Sequence, residues 1–405
     1  MPTAYVYPAD TTGVGHYRLV WPAEAVRAEG WRTVVSWPGD EHSIVGVMAG
    51  NDPAGLVGLA QAPADADVVV LQRVTSAQLA RAIPHLQARG IAVVVDVDDD
   101  FGSLPRSNPV WWLCHPKVAP HDNPRWLEEA AAAADLVTAS TPALARRYGG
   151  HGRVMVLPNR LPAHAFDHPH VDDAGHDPLV GYAGAPVMSA TSDTAVRRAG
   201  ARLNPAFARR MPRLLGPHVE DFAVLADLFR RWDGRFRIVG PGERAGELVR
   251  RRQLDATGPV PFDRWFEAVS QLDVGLVPLA PGPFAEAKSA LKGLEYAACG
   301  IPWIATATGP YRALHEEHGV GVLVERPRDW ERAVRSLRDP VRRAEAAEAA
   351  REAGRVNAID RHAGAWAEAW AQAIANRRRA PAPKPRRAEF RLAPGGLVAS
   401  PPLSL

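Results

Sequence analysis

The chain has 405 residues, 46% of them hydrophobic and 23% charged, with 48 basic against 45 acidic side chains and a formal net charge of +3. This is globular composition, with length for two domains and a sizeable core. Only two cysteines occur, Cys114 and Cys299, which excludes a disulfide scaffold and a cysteine zinc cluster.

In chain order, residues 4–8 form a short apolar strand, 18–29 have helical periodicity and 33–37 are strand-like. Residues 68–72 read as a buried strand, 76–89 as a helix, and 91–95, five apolar residues in a row, as the next strand. Such uninterrupted runs mark parallel strands covered on both faces. An Ala-rich helix at 124–134 and a strand at 136–139 follow. Thr141 then N-caps a helix with Pro142 at its first position, and 154–157 closes this half. Residues 158–177 have little periodicity and read as a linker. Its four histidines, His164, His168, His170 and His176, lack ligand-like spacing on one element, so a polar surface linker is expected.

The second half repeats the pattern. Strands are expected at 179–183, 236–239, 274–278, 302–305 and 320–324, and helices at 222–231, 264–270 and 289–298, with more helices to 376. One segment, 188–216, breaks the rhythm and carries Arg197, Arg198, Arg202, Arg209, Arg210 and Arg213. It reads as an inserted loop or helical excursion: a solvated basic surface, or an element for an acidic acceptor. From Arg377 onward seven basic residues and one acid fall in a Pro-, Ala- and Arg-rich stretch. Residues 377–405 are therefore expected to be a disordered basic tail, a solvated end or a contact for an acidic partner or membrane surface. Without that stretch the body carries about −3, so the basic isoelectric point does not imply nucleic-acid binding. No stretch approaches the roughly 20 apolar residues of a membrane span. The first residues lack a signal peptide's basic and apolar regions. A cytoplasmic protein is expected, with the tail as its candidate contact to the inner membrane face.

Two successive strand–helix units joined by a linker predict an α/β fold of two doubly wound, Rossmann-like domains facing a cleft. The expected bounds are 1–165, a linker at 166–177, and 178–357. Ligands of such sheets bind outside the carboxyl ends of the strands.

Three segments carry chemistry. After the first strand, Gly13 and Gly15 stand before Arg18 on a strand-to-helix turn. Glycines there permit either a tight turn or the close approach of a ligand to backbone. After the strand at 91–95, Asp96, Asp98, Asp99 and Asp100 crowd four carboxylates into five residues. They need partners, and Asp98 and Asp99 are candidates for a general base or acceptor recognition; a magnesium site and an acidic turn are the alternatives. The third segment is Lys288-Ser289-Ala290-Leu291-Lys292-Gly293-Leu294-Glu295-Tyr296, ending at Gly300 and Pro302. Only four of the 48 basic residues are lysines, and two of them lie here. Lys288 and Ser289 are placed at a helix N-terminus, where N–H groups, dipole and ammonium would converge on a phosphate. Lys288, Lys292 and Glu295 share one face by spacing, and Glu295 can accept from two sugar hydroxyls.

This segment resembles the nucleotide-binding signature of GT-B glycosyltransferases, the retaining family-four type above all. Closer still is a bacterial and phage branch with Lys-Ser-x-x-Lys-x-x-Glu-Tyr followed by Gly-Pro-Tyr, here Gly309-Pro310-Tyr311. The branch also resembles this chain at Gly13 to Arg18, Asp98 to Asp100, Pro158-Asn159, Gly181-Tyr-Ala-Gly184 and His218-x-x-Asp221. The resemblance implies a nucleotide-diphosphate sugar as co-substrate, with no cofactor and no required metal. It implies Glu295 on the ribose, Lys288, Lys292 and the Ser289 N–H at the diphosphate, and Gly184 at the donor. It implies Gly13 and Gly15 closing from the first domain, and an acceptor near Arg18, Asp98 and Asp99. The acceptor class stays open among glycan, lipid, protein and nucleic acid. A last helix, 358–376, is implied to return to the N-terminal domain. Two departures stand out. Many relatives have a second Glu where this chain has Ala287, leaving the adjacent Glu286 as a catalytic candidate beside Lys288. The Arg and Lys pair that many relatives carry after the first strand of the second domain is replaced by Gly184-Ala185-Pro186. A nucleotide-sugar epimerase and a non-catalytic GT-B-like binding protein are the alternatives.

Overall fold

The computed structural model describes all residues except 51, 53–54, 174, 251–253, 382–396 and 404–405. The chain divides into two compact units: Met1–Gly102, Cys114–Asn159 and Ile359–Leu405 in the first, Ser103–Leu113 and Arg160–Ala358 in the second.

The first unit contains β1 (Thr3–Tyr7), β2 (Arg32–Val35), β3 (Val45–Ala49), β4 (Leu56–Gln61), β5 (Val68–Gln72), β6 (Ala92–Val97), β7 (Leu136–Ala139) and β8 (Val154–Val156). Six of these make a parallel sheet in the order β2-β1-β5-β6-β7-β8. The apolar runs of β5 and β6 are buried along their whole length, as strands covered on both faces must be. The helix Ala363–Arg379 completes this core by burying Trp366, Ala369, Trp370 and Ala373 beside β1, β5 and β6. β3 and β4 form an antiparallel hairpin that sequence patterning does not reveal, because Gly46 and Gly58 interrupt the alternation.

The basic tail differs from expectation at both described ends. Arg377 closes the last helix and is buried, with its guanidinium on Asp135 (3.3 Å) and on the carbonyls of Ala380 and Pro381. Leu397–Pro402 pairs antiparallel with β3, an edge that accepts a strand from the far end of the chain. The remaining basic positions of that stretch lie outside the described residues, apart from Arg378 and Arg379 on the helix.

The second unit contains β9 (Val180–Ala183), β10 (Phe236–Val239), β11 (Asp255–Ala256), β12 (Val274–Val277), β13 (Trp303–Thr306) and β14 (Val322–Val324). They make a parallel sheet in the order β11-β10-β9-β12-β13-β14, the doubly wound arrangement whose order reverses between β9 and β12. The Arg-rich insert becomes the helices Ala190–Leu203 and Pro205–Ala208. Its inner face meets Trp112, Met211 and Leu215 in a small core, which is why residues 103–113 belong to this unit. Arg198, Arg202, Arg209 and Arg210 remain exposed.

The linker is not a plain polar surface. His170 is half-buried and tied down: its backbone N–H donates to Cys299 O (2.7 Å), Nδ1 to Ser270 O (2.8 Å), and Nε2 lies 3.0 Å from Asp273. Asp172 receives both oxygens' worth of contacts from Arg343, so the His170–Asp172–Asp273 group is balanced by ion pairs. Burial opposes charge on the imidazole, but the hydrogen bonds and charge of Asp273 outweigh it and raise the His170 pKa. Burial likewise opposes charge on Asp273, and His170 outweighs it, so that carboxyl titrates lower than usual.

Arg18 is at 0% exposure. Nε and Nη2 donate to the two oxygens of Asp96 (3.0 and 2.8 Å), and Nη1 donates to Leu157 O and Asn159 Oδ1. Trp366 lies under its guanidinium and Thr138 donates to Asp96. This corrects the expectation of Arg18 as a ligand contact: a fully enclosed guanidinium with four bonds has no face left for an acceptor.

Two outcomes follow from these buried pairs. Arg18→Met strands the Asp96 carboxylate and should cost about 3–5 kcal/mol in denaturant unfolding; a loss under 1 kcal/mol would contradict the pairing. The His170 contribution is full below the unfolded histidine pKa and is lost as pH rises through the raised folded value. That of Asp273 is present above the unfolded aspartate pKa and is lost as pH falls through its lowered value. His170→Gln should therefore destabilise most between about pH 4 and 6.5 and least at alkaline pH, read from unfolding free energies across pH.

Candidate functional site

β9 and β12 pair only at Val180–Val274 and Gly181–Gly275. Beyond that point the helix Leu291–Ala298 fills the opening at their carboxyl ends. The Tyr296 hydroxyl accepts from Ala183 N–H (2.8 Å) and donates to Leu276 O (3.2 Å). Lys292 Nζ donates to Ala183 O (2.7 Å). One helix thus holds both peptide groups of the last residue of β9. Gly275 makes room for the ring, since a Cβ there would lie 2.5 Å from Tyr296.

The candidate residues gather at this opening. Gly184 follows β9 with φ +141°, and a Cβ on it would lie 2.8 Å from Lys292 Nζ. Lys292 stands 5.1 Å over the Tyr182 ring. Burial, and then the positive charge of Lys288, lower the Lys292 pKa, against the opposing pull of Glu295 and Asp221. Glu295 is 6% exposed, and its Oε1 accepts from Trp265 Nε1 (2.9 Å), which fixes the carboxylate's orientation. His218 Nδ1 bonds Asp221 Oδ2 (2.9 Å), while Asp221 Oδ1 accepts from Ala280 N–H (2.8 Å) in the loop after β12. Burial first, and then the charges of Lys292 and Lys288, lower the His218 pKa despite the bond to Asp221.

Lys288 lies elsewhere than its spacing predicted. A short helix, Pro283–Ala287, ends at Lys288 in extended backbone (φ −65°, ψ 155°), and the next helix begins only at Leu291. Lys288 and Ser289 therefore sit in the turn between two helices, and only Lys292 and Glu295 share a helical face. The Lys288 ammonium lies 4.2 Å over the Phe284 ring.

Glu286 does not replace the missing acid. Ala287 is buried, whereas Glu286 is exposed and its Oε2 accepts from Gly309 N–H (2.9 Å), at the start of the helix Gly309–His318. Its carboxylate serves that helix N-terminus. In the first unit, Asp98 is buried and both its oxygens are taken by Arg73, from Nε at 2.6 Å and from Nη2. That bidentate pair corrects the reading of Asp98 as an available base. Asp99 is 3.7 Å from the same guanidinium and about a quarter exposed. Asp100 accepts from Tyr148 and Gly102, while Asp98 and Asp99 share Arg73, so every acid of the run faces a donor. Gly13–Gly15 already forms the first turn of a helix, with the Gly15 N–H on Asp10 Oδ1 (3.2 Å). A Cβ on Gly15 would lie 2.0 Å from Asp10 O, so this glycine is required by the tight turn between β1 and the helix.

Sequence reading missed Trp265, Tyr182 and Tyr296 as supports. Trp265 had no local signal, because only the fold brings it to Glu295.

Residues 215–339 match the family described as Glycosyl transferases group 1, a span that holds His218, Asp221, Trp265, Lys288, Lys292 and Glu295. No curated protein sequence matches the chain. Among solved structures, a sucrose-phosphate synthase from Thermosynechococcus elongatus is similar at 15% identity and TM-score 0.58, covering 93% of this chain and all of that one. The Anabaena protein HepE in complex with UDP is similar at 13% identity and TM-score 0.55, covering 91% of this chain and 99% of that one. A glycosyltransferase from Rickettsia africae is similar at 12% identity and TM-score 0.56, covering 92% and 98%. These likenesses span both units and identify the two-domain, Rossmann-like GT-B fold.

Tyr296→Phe removes the hydroxyl that bridges Ala183 N–H and Leu276 O. It should cost about 1–3 kcal/mol in chemical denaturation, the penalty for buried unpaired backbone groups; an unchanged midpoint would show that the opening does not depend on the hydroxyl.

Proposed function

We propose that the protein transfers a sugar from a nucleotide-diphosphate sugar to an acceptor, with the donor held by the second unit. The observation that carries this reading is the joint placement of Lys288, Lys292 and a buried, indole-oriented Glu295 where the sheet order reverses, the place where doubly wound sheets bind ligands. The match of this segment to Glycosyl transferases group 1 and the UDP held by a protein of similar fold support it.

Glu295 accepts from the ribose hydroxyls with two oxygens of one carboxylate. Lys288 and the Ser289 N–H meet the diphosphate, and Lys292 adds positive charge behind them. As the bond from sugar to phosphate breaks, charge builds on the leaving diphosphate. Cations already in place stabilise that charge without reorganising, which is where the rate enhancement arises. The resemblance to retaining enzymes supports retention at the anomeric carbon and a hexose as the transferred sugar. The first unit is read as the acceptor-binding half, with the partly exposed Asp99 as its candidate polar contact.

Ala287 favours a second reading, a protein that binds the donor without turnover. Incubation with UDP-glucose, GDP-mannose and ADP-glucose separates the two, since transfer or slow donor hydrolysis belongs only to the enzyme.

Thermal shift with UDP, GDP and ADP tests the site itself. At least one should stabilise the wild type. Glu295→Ala should abolish most of that shift, and Lys288→Ala should lose a charge-assisted contact of about 1.5–3 kcal/mol. Equal stabilisation of wild type and both variants would refute the placement.

A further inference from the structure

We propose that His218 is a further contact of the donor's diphosphate, neutral before the donor binds and protonated when the diphosphate binds, so that donor affinity is coupled to proton uptake. This rests on the donor reading above and adds to it a residue and a pH dependence.

The placement of His218 comes from the insert. Met188 N–H donates to Leu215 O (2.8 Å), so the two ends of the insert close on each other. Gly216 then packs with no room for a side chain, a Cβ there lying 2.5 Å from Pro186 O. The chain consequently re-enters the site at His218, beside the Gly184-Ala185-Pro186 turn. That turn carries no cationic side chain of its own. The Tyr182 ring lies edge-on to the imidazole, 6.3 Å between centroids.

The orientation of His218 comes from Asp221. A carboxylate only accepts, so Nδ1 carries the proton in the bond to Asp221. Ala280 N–H holds the other Asp221 oxygen, so the carboxylate cannot swing away. The neutral ring therefore presents Nε2 as a lone pair, and Nε2 has no hydrogen-bond partner among the described residues. A lone pair repels a phosphate oxygen; an N–H⁺ donates to it.

The charges that face the ring decide its state. Asp221 on its own helix favours the imidazolium. Lys292 on the helix Leu291–Ala298 and Lys288 in the turn before it oppose it, as does burial, while Tyr182 on β9 is neutral. Among these protein groups the opposing side wins, and the His218 pKa lies below its usual value. A diphosphate brings two negative charges that offset the two ammoniums. The balance then reverses, and protonation of Nε2 creates one more donor to phosphate.

The test is calorimetry of UDP-glucose, GDP-mannose and ADP-glucose binding, in buffers of different ionisation enthalpy. A nucleotide sugar has no free terminal phosphate titrating near neutrality, so proton uptake reports the protein. The wild type should take up about half a proton near neutrality and bind several-fold, at most about tenfold, tighter at pH 6 than at pH 8, as a shift of one pKa unit implies. His218→Gln should bind more weakly, with less than about a twofold pH effect and no uptake at this site. His218→Lys, permanently charged, should bind without pH dependence, which guards against a Gln variant that merely loosens the loop. Binding with no proton uptake, or equal uptake in wild type and His218→Gln, would overturn the role of His218 and leave the donor reading intact. Failure of all three nucleotide sugars to bind would overturn both.

Discussion

The parting of two strands governs the second unit. β9 and β12 share two residue pairs and then separate, and the peptide groups exposed by that separation must be satisfied. The helix Leu291–Ala298 does this with two side chains, Tyr296 on Ala183 N–H and Leu276 O, and Lys292 on Ala183 O. Because those residues face inward, Glu295 is carried to the same opening. Gly275 and Gly184 are both demanded by this arrangement, one by the ring of Tyr296 and the other by the ammonium of Lys292. The candidate donor segment and the structural prop of the sheet are therefore one element, and neither could change without the other.

Basic residues divide their work by type. Arginines with planar, forked donors fix carboxylates inside the fold: Arg18 on Asp96, Arg73 on Asp98, Arg343 on Asp172, Arg377 on Asp135. Lysines, scarce elsewhere, gather at the candidate donor site. A guanidinium that meets two carboxylate oxygens is fixed in place, and its remaining donors go to nearby groups, as those of Arg18 go to Leu157 O and Asn159 and those of Arg343 to Leu337 O and Arg338 O. An ammonium bonded to a single carbonyl, as Lys292 is to Ala183, keeps donors in reserve. The same difference shows in the acidic turn of the first unit, where Arg18 and Arg73 hold Asp96 and Asp98 and leave Asp99 partly exposed.

The insert and the linker shape the second unit from outside its sheet. The insert closes on itself at Met188 and Leu215 and is held by Trp112, so most of its arginines stay exposed while its returning segment sets His218. The linker is tied down by His170 to Asp273, which in turn accepts from Leu179 N–H at the entrance to β9. The segment that enters the unit is thus fastened at the amino end of the strand whose carboxyl end forms the site.

The sequence by itself determined the alternating elements, because buried parallel strands need unbroken apolar runs and helices announce themselves by caps: Thr141 and Pro142 begin a helix as read, and β5, β7 and β10 match their predicted residues. It also singled out the segment from Lys288 to Glu295, since two rare lysines and a glutamate within two turns stand out against an arginine-rich chain. The tertiary structure alone decided which charges were free. Arg18, Asp98 and Glu286 look like site residues until Asp96, Arg73 and Gly309 are found beside them, partners that lie 78, 25 and 23 positions away. It alone assigned Trp265 to Glu295, paired Leu397–Pro402 with β3, and began the expected helix only at Leu291, so that Lys288 left the face of Lys292. Local pattern reports what a segment can bury. Which polar group it meets depends on long-range packing, which spacing along the chain does not encode.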